Sequence, residues 1–526
     1  MVSPPEQPIP VAPGRVVAVG CLLALGAAIA WLPLPQAAIL VLGLGATAIA
    51  LLHPAGAVGL ALLSVPVQEL VQLPGGLSVT QAALLLVAAS LAPHVLAFPE
   101  RRFVVGALFV PLALFVWALA LSAVLTPFSR AEGLRETARW ATVPLIYLAA
   151  LRAVGAGGQE PGTRWGQKGE VAPLPSPAPG ALPPGSWPVW SLLACLLLAP
   201  AAAAVVGLVQ YWFGLGPESF GIGGGRVRAY GTIGQPNSFA GYMNQGWPLA
   251  AGVALFALRG LCDGAPRRHA LPALLGAGAA ATLMLAALLA SFSRGGWVGG
   301  MAGGAVLVVV AVATLPARLR PLARQALVAA VAGGLILALL GGGGLLPTAL
   351  ATRLNSLASN LRLFDARGAD ITPANFAVVE RMAHLQAGWN MLRSRPLIGV
   401  GPGNFTLVYE RPPAAGERPI SVRPWYESRG HAHNYYLHVA AEAGLFGLGA
   451  YLLLIGLVAV QALRAVRAAR GWMWRGIAAG GAGVVAAVAA HNLFENLHVL
   501  NMGLQLGTIW ALLVAAELTG GEEPRS

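Results

Sequence analysis

Residues 429–463 read RGHAHNYYLHVAAEAGLFGLGAYLLLIGLVAVQAL, and this stretch decides the fold. From Asn434 to Leu463 a single formal charge, Glu442, interrupts the apolar run. A membrane-spanning helix needs roughly 20 such residues, so 434–463 predicts a transmembrane helix entered from a polar loop. His431, His433 and Asn434 crowd at that water–lipid boundary. Inside the run, His438 and Glu442 are spaced i,i+4. Polar groups at that depth are costly and face a bundle interior, which leaves a structural pair and a supporting role at a site both open.

Comparable runs recur along the whole chain. They predict spans at 16–34, 36–52, 55–70, 77–98, 103–125, 140–154, 188–213, 237–258, 270–291, 296–314, 323–345, 434–463, 476–494 and 500–518. Hydrophobic residues make up 57% and charged residues 10%, against roughly 25% charged in soluble domains. The fold class expected is an all-α polytopic membrane protein of about 12–14 transmembrane helices with one large external loop. The 67 glycines suit it, because small residues let helices approach closely in lipid. The divisions expected are N-terminal spans (1–154), a Pro/Gly-rich cytoplasmic linker (155–187), further spans with external Arg loops (188–345), the external loop (346–432), C-terminal spans (433–518) and a tail (519–526). The proline-rich start, with Arg15 its only basic residue, is no secretory n-region, so the first span is expected to stay as an anchor.

Cys21, Cys195 and Cys262 have no metal-ligand spacing and give no disulfide framework. The net charge of +13 is carried by arginine, with Lys168 the only lysine. These arginines flank spans and form no basic domain with interleaved aromatics, which argues against nucleic acid. With the N-terminus inside, Arg101/Arg102, Arg259/Arg267/Arg268, Arg318/Arg320/Arg324 and Arg464/Arg467/Arg470/Arg475 all fall on the inner side, as the positive-inside rule requires. Three segments then share the outer side against that rule: 214–236 with Arg226 and Arg228, 291–295 with Arg294, and 346–432 with ten arginines against six acids.

Each of these segments has a chemical reading. Arg226-Val-Arg228-Ala-Tyr230-Gly231 leads through Gly234-Gln235-Pro236 to Asn237, a rigid turn with Asn237 as a natural helix N-cap. A guanidinium held there suits a diphosphate, because its planar fork binds phosphate oxygens in pairs. Ser293-Arg294-Gly295 places a second cation on the same side, and two neighbouring cations repel unless an anion joins them. In the long loop, Val378, Met382, Leu385, Trp389 and Leu392 predict an amphipathic helix over 377–393. The glycine-rich turn Pro396 to Phe405 lacks the Lys-Ser/Thr of a nucleotide loop and reads as a cap on the bundle. Imidazoles ordinarily titrate near about 6.5, so a histidine at the boundary can accept a proton from a sugar hydroxyl. His491, Asn492, Glu495 and Asn496 form another polar cluster near an outer turn.

The ordered series Arg228-x-x-Gly231, Pro236-Asn237, Ser293-Arg294-Gly295, Pro396-Leu-Ile-Gly-Val-Gly-Pro-Gly-Asn404-Phe405 and His433-Asn434-x9-Gly444-x-x-Gly447 resembles the O-antigen ligase and O-antigen polymerase superfamily, over roughly residues 190–518. The resemblance implies a GT-C-like glycosyltransferase of the bacterial inner membrane, inverting and without metal or cofactor. It would move a glycan from undecaprenyl diphosphate to a glycan or glycolipid acceptor on the outer face. Arg228 and Arg294 would hold the diphosphate, His433 would be the base, and the loop 346–432 would cap the site. Arg226, Arg429, His431, Asn434, Tyr435, His491 and Glu495 are secondary candidates for substrate binding. Ligase is preferred over polymerase and over transfer to protein, because the His-Asn-x9-Gly spacing is intact. A lipid-linked glycan flippase is the rival of another class.

Overall fold

The structure, a computed structural model, describes residues 33–73, 76–97, 105–155, 187–315, 364–372, 375–413, 415–416, 418–422, 427–428 and 430–519, together with 318–322, 324–325 and 328. Its helices are α1 (Leu34–Leu52), α2 (Pro54–Ser64), α3 (Val79–Ala97), α4 (Phe109–Leu125), α5 (Arg130–Ala153), α6 (Trp187–Phe213), α7 (Pro236–Cys262), α8 (Arg267–Ala290), α9 (Arg294–Ala313), α10 (Phe376–Ser394), α11 (Phe405–Glu410), α12 (Tyr435–Ala468), α13 (Gly471–His491) and α14 (Gly503–Leu518). The only sheet among the described residues is the short antiparallel pair β1 (Gly221–Gly223) and β2 (Arg226–Val227). Helices α3, α6, α8, α9, α12 and α13 are each long and apolar enough to cross a membrane, and α1, α2, α4 and α14 are shorter apolar helices. The chain is an all-α polytopic membrane protein.

Twelve of the fourteen expected spans coincide with these helices; those at 16–34 and 323–345 lie outside the described residues but for 33–34, 324–325 and 328, and the linker and tail lie outside them beyond Gly155 and Thr519. The expected span at 140–154 starts ten residues earlier, at Arg130. Its first turns carry Glu132, Arg135, Glu136 and Arg139, which hide the helix from a hydropathy reading. A cap reveals it instead: Ser129 Oγ accepts the amide of Glu132 at 3.3 Å.

Packing follows from small residues. Where α7 crosses α13, a Cβ on Gly252 would come within 2.5 Å of the Gly480 nitrogen, and one on Gly480 within 2.6 Å of Leu249 Cα. Helix α9 meets α13 in the same way, with Gly299 against Ala487 and Gly303 against the Gly483 carbonyl. Backbone-to-backbone approach of this kind gains dispersion contacts that lipid tails cannot supply. The buried residues form one cluster running through α1 to α9 and α12 to α14, with two smaller clusters where α10 and α11 sit on it.

Helix α12 is broken at Gly444, whose φ is 68° and ψ −170°. The backbone groups around the break bond to the glycine-rich turn. Val400 N–H donates to Ala441 O at 3.0 Å, Gly401 N–H to Glu442 O at 2.8 Å, and Leu445 N–H to Pro396 O at 2.8 Å. A Cβ on Gly444 would lie 2.3 Å from the Leu397 carbonyl, and one on Gly399 2.3 Å from that of Glu442. Glu442 accepts the amides of Gly403 at 2.9 Å and Phe405 at 3.0 Å, and lies 3.5 Å from His438. Ser122 and Thr126 of the α4 end tie the turn down through the Ile398 and Val400 carbonyls. The turn is thus a structural clamp between α12, α4 and α5, as a cap on the bundle should be.

Candidate active site

The clamp fixes where α12 begins. Its N-cap is Asn434, whose Oδ1 accepts the Leu437 amide at 2.9 Å and whose Nδ2 donates to Leu493 O at 3.2 Å. One residue earlier His433 has φ 52°, a left-handed backbone uncommon in L-residues, though Asn, Asp and His enter it more readily than others. Strain of this kind costs about 1–3 kcal/mol and collects at functional sites. It turns the imidazole away from the helix axis into a cavity of about 370 Å³. Phe292, with φ 51°, precedes the second element of the site.

That element is the start of α9. Ser293 Oγ accepts the Gly296 amide at 3.2 Å and so caps the helix. Arg294 follows at the first helical position and lines the cavity. Gly295 lets α9 abut the end of α13: a Cβ there would lie 2.8 Å from that of Phe494 and 3.0 Å from His491 Cδ2. Arg228 arrives from the loop after β2. Its backbone amide donates to Phe220 O at 2.9 Å, its Nε to Ser291 O at 2.9 Å, and its guanidinium to Asn237 Oδ1 at 2.9 Å.

A continuous chain of polar contacts links Arg228 to His433. Asn237 accepts from Arg228 and donates through Nδ2 to Glu495 Oε2 at 2.9 Å. Glu495 Oε1 is 3.0 Å from His431 Nε2, and Oε2 is 3.8 Å from His433 Nδ1. The His433 amide donates to His431 Nδ1 at 3.1 Å. His431 therefore carries its proton on Nε2 and gives it to the carboxylate. Burial pushes His431 down to about 3, keeping it neutral, with Glu495 opposing and the neighbouring histidines adding to the shift. Burial would raise Glu495, but the His431 and His433 rings and the Arg381 guanidinium outweigh it and hold its carboxyl well below the usual range. Both His433 ring nitrogens lack a hydrogen-bond partner among the described residues, and the ring is 12% exposed.

The remaining candidates divide. His491, the last residue of α13, lines the cavity, with Nδ1 3.4 Å from Asn244 Nδ2. Tyr435 is buried among Trp140, Tyr451 and His498 and does not line it. Arg226 is turned outward over Tyr211 and Trp212, with its guanidinium carbon 5.3 and 4.8 Å from the ring centroids. Arg429 lies outside the described residues. His431 touches His433, ring centroids 4.4 Å apart, because the 431–434 segment is a turn and not the first turn of α12.

The expected amphipathic helix is α10, but Trp389 is 53% exposed, and the buried stripe runs through Val379, Met382, Ala383, Ala387 and Met391. Asn237 is not an N-cap; it lies inside α7, and Gln235 holds the cap position. Two residues were not anticipated. Arg381, on α10, lines the cavity beside Glu380, and its Nε has no hydrogen-bond partner among the described residues. His384, fully buried, stacks on Tyr409 and presents its edge to the His433 ring at 5.5 Å. A basic residue one turn before a histidine on a helix at the mouth of a site was the available signal.

The cavity thus combines three guanidiniums from three separate elements with an imidazole able to take a proton. Ligand atoms of His431, His433 and Glu495 lie within 4.8 Å of one another, a spacing that could hold a metal ion. Arg228, Arg294 and Arg381 on the same walls favour an anion in the cavity instead. Residues 279–452 match the family described as O-antigen ligase. No curated protein matches the chain.

Proposed function

We propose that this chain, whose residues 279–452 match the O-antigen ligase family, is an enzyme of the O-antigen ligase and polymerase superfamily that transfers a glycan from undecaprenyl diphosphate to a sugar hydroxyl of an acceptor, as a ligase, at the outer surface of the cytoplasmic membrane. One observation carries this reading: His433, with both ring nitrogens unpartnered among the described residues, shares its cavity with Arg228, Arg294 and Arg381.

The chemistry is a single displacement. The acceptor oxygen forms a bond to the anomeric carbon as the bond from that carbon to the diphosphate oxygen breaks, with inversion. The acceptor proton passes to a His433 ring nitrogen. Charge develops on the departing diphosphate, and the arginines stabilise it most in the transition state. Glu495, held by Asn237 and His431, sits where it orients His433 and stabilises the imidazolium.

The test is reconstitution of the purified chain in vesicles with undecaprenyl-diphosphate glycan and a panel of acceptors, read by product mass. Transfer to a glycolipid core supports ligation, and elongation of a second lipid-linked glycan indicates a polymerase. Full activity of both His433→Ala and Arg294→Ala, with normal insertion, would overturn the mechanism. Translocation of labelled donor with no new glycosidic bond would instead make the protein a transporter.

A further inference from the structure

A second arginine-lined cavity lies at the far ends of the helices that frame the first. Helix α9 runs from Arg294 to Ala313, 20 residues. At 1.5 Å per residue it is about 30 Å long, the thickness of a bilayer's hydrocarbon core. Arg294 lines the first cavity, whereas Ala313 and Thr314 line the second, of about 280 Å³. Helix α13 repeats the relation, with His491 at one cavity and Arg475 at the other. The two cavities therefore face opposite membrane surfaces.

Three cations converge on the second from three segments: Arg320 after α9, Arg467 in the last turn of α12, and Arg475 in the first turn of α13. Two of them are anchored in one way. Arg320 Nε donates to Leu315 O at 2.6 Å, and Arg475 Nε to Ala469 O at 3.2 Å. That leaves the two-pronged ends of both guanidiniums without a partner among the described residues. No carboxylate of a described residue lines the cavity, and Phe256, Val310 and Val466 supply an apolar wall beside the cations.

Arginines at a membrane surface are often only a topological signal. Such residues point separately into water and build no shared cavity. Here they meet in one, beside an apolar wall, at the depth of lipid headgroups. We infer that this cavity binds the phosphate of an anionic phospholipid headgroup, with the acyl chains along the Phe256–Val310 wall. Guanidinium forks match phosphate oxygens, and basic pockets between spans at the cytoplasmic surface are known receptors for such headgroups.

The experiment is native mass spectrometry of the full chain, titrated separately with phosphatidylglycerol, phosphatidylcholine and inorganic phosphate. The expected result is selective retention of phosphatidylglycerol, reduced about tenfold in Arg467→Gln/Arg475→Gln. Arg467→Lys/Arg475→Lys should recover part of it, and Arg464→Gln/Arg470→Gln, which removes equal charge outside the cavity, should change it little. Equal loss in the 464/470 variant would reduce the effect to surface potential and overturn the site. Equal retention of phosphatidylcholine would overturn it as well, and inorganic phosphate binding as tightly as the lipid would make it a small-anion site.

Discussion

The two ends of α9 and α13 hold the same charge and differ in what surrounds it. At the His433 end, Arg228, Arg294 and Arg381 share walls with His433, His491 and Glu495, and strained backbone at Phe292 and His433 aims the groups inward. At the Arg475 end, three arginines meet only carbonyls, a threonine and apolar side chains. Three guanidiniums attract an anion in either setting. Only the first setting adds a proton acceptor and a carboxylate to steady it. In the proposed reaction, charge would decide where an anion rests, and the imidazole would decide where a bond changes.

The sharpest way to break that contrast is His433→Ala. Loss of a general base lowers rates by about 10²–10⁴-fold. Transfer in vesicles should fall by that much, while binding of the lipid-linked donor, read by co-purification, persists. Arg294→Ala should come next, at about 10²–10³-fold, as for loss of one donor to developing charge. Here donor binding should weaken together with turnover.

Two further tests concern the scaffold. Gly444→Ala adds a methyl group at a positive φ against the Leu397 carbonyl, so it should destabilise by about 3 kcal/mol. Thermal unfolding in detergent measures this directly, and an unchanged transition would mean that the clamp is not rigid. The smallest effect is that of pH. His431 has a folded value depressed to about 3, so between about 6.5 and 3 the unfolded chain binds the extra proton and stability falls as pH falls. Glu495, depressed as well, contributes stability above its unfolded value near about 4.3 that is lost on further acidification. Protection of α10 amides, measured relative to their intrinsic exchange rates at each pH, should therefore fall below about pH 6.5, and His431→Asn should flatten the first part of that dependence.

Much of this was legible without coordinates, for identifiable reasons. Apolar runs report spans directly, and twelve helices fall where such runs stand. Helix α5 began earlier than its hydropathy because its first turns are charged. At the site, Arg228, Arg294 and His433 stand beside glycines or caps that mark fixed backbone, so they could be singled out. Arg381 could not, being one of ten arginines in its loop and distinguished only by where α10 docks. Asn237 misled because its position suits a cap, whereas its side chain bridges Arg228 and Glu495. Arg226, two residues before Arg228, does not line the cavity and is placed over Tyr211 and Trp212.

The break at Gly444 makes the interval from Asn434 a ruler. One residue more within it would turn the break by about 100° and shift it by about 1.5 Å. The turn at 396–401 would then face the wrong side of α12, and His433 would swing out of register with Arg294. Substitutions along the interval exchange side chains, whereas an insertion or deletion changes the distance between His433 and its clamp. A length variant of this helix should thus fail even where every residue of the cavity is intact.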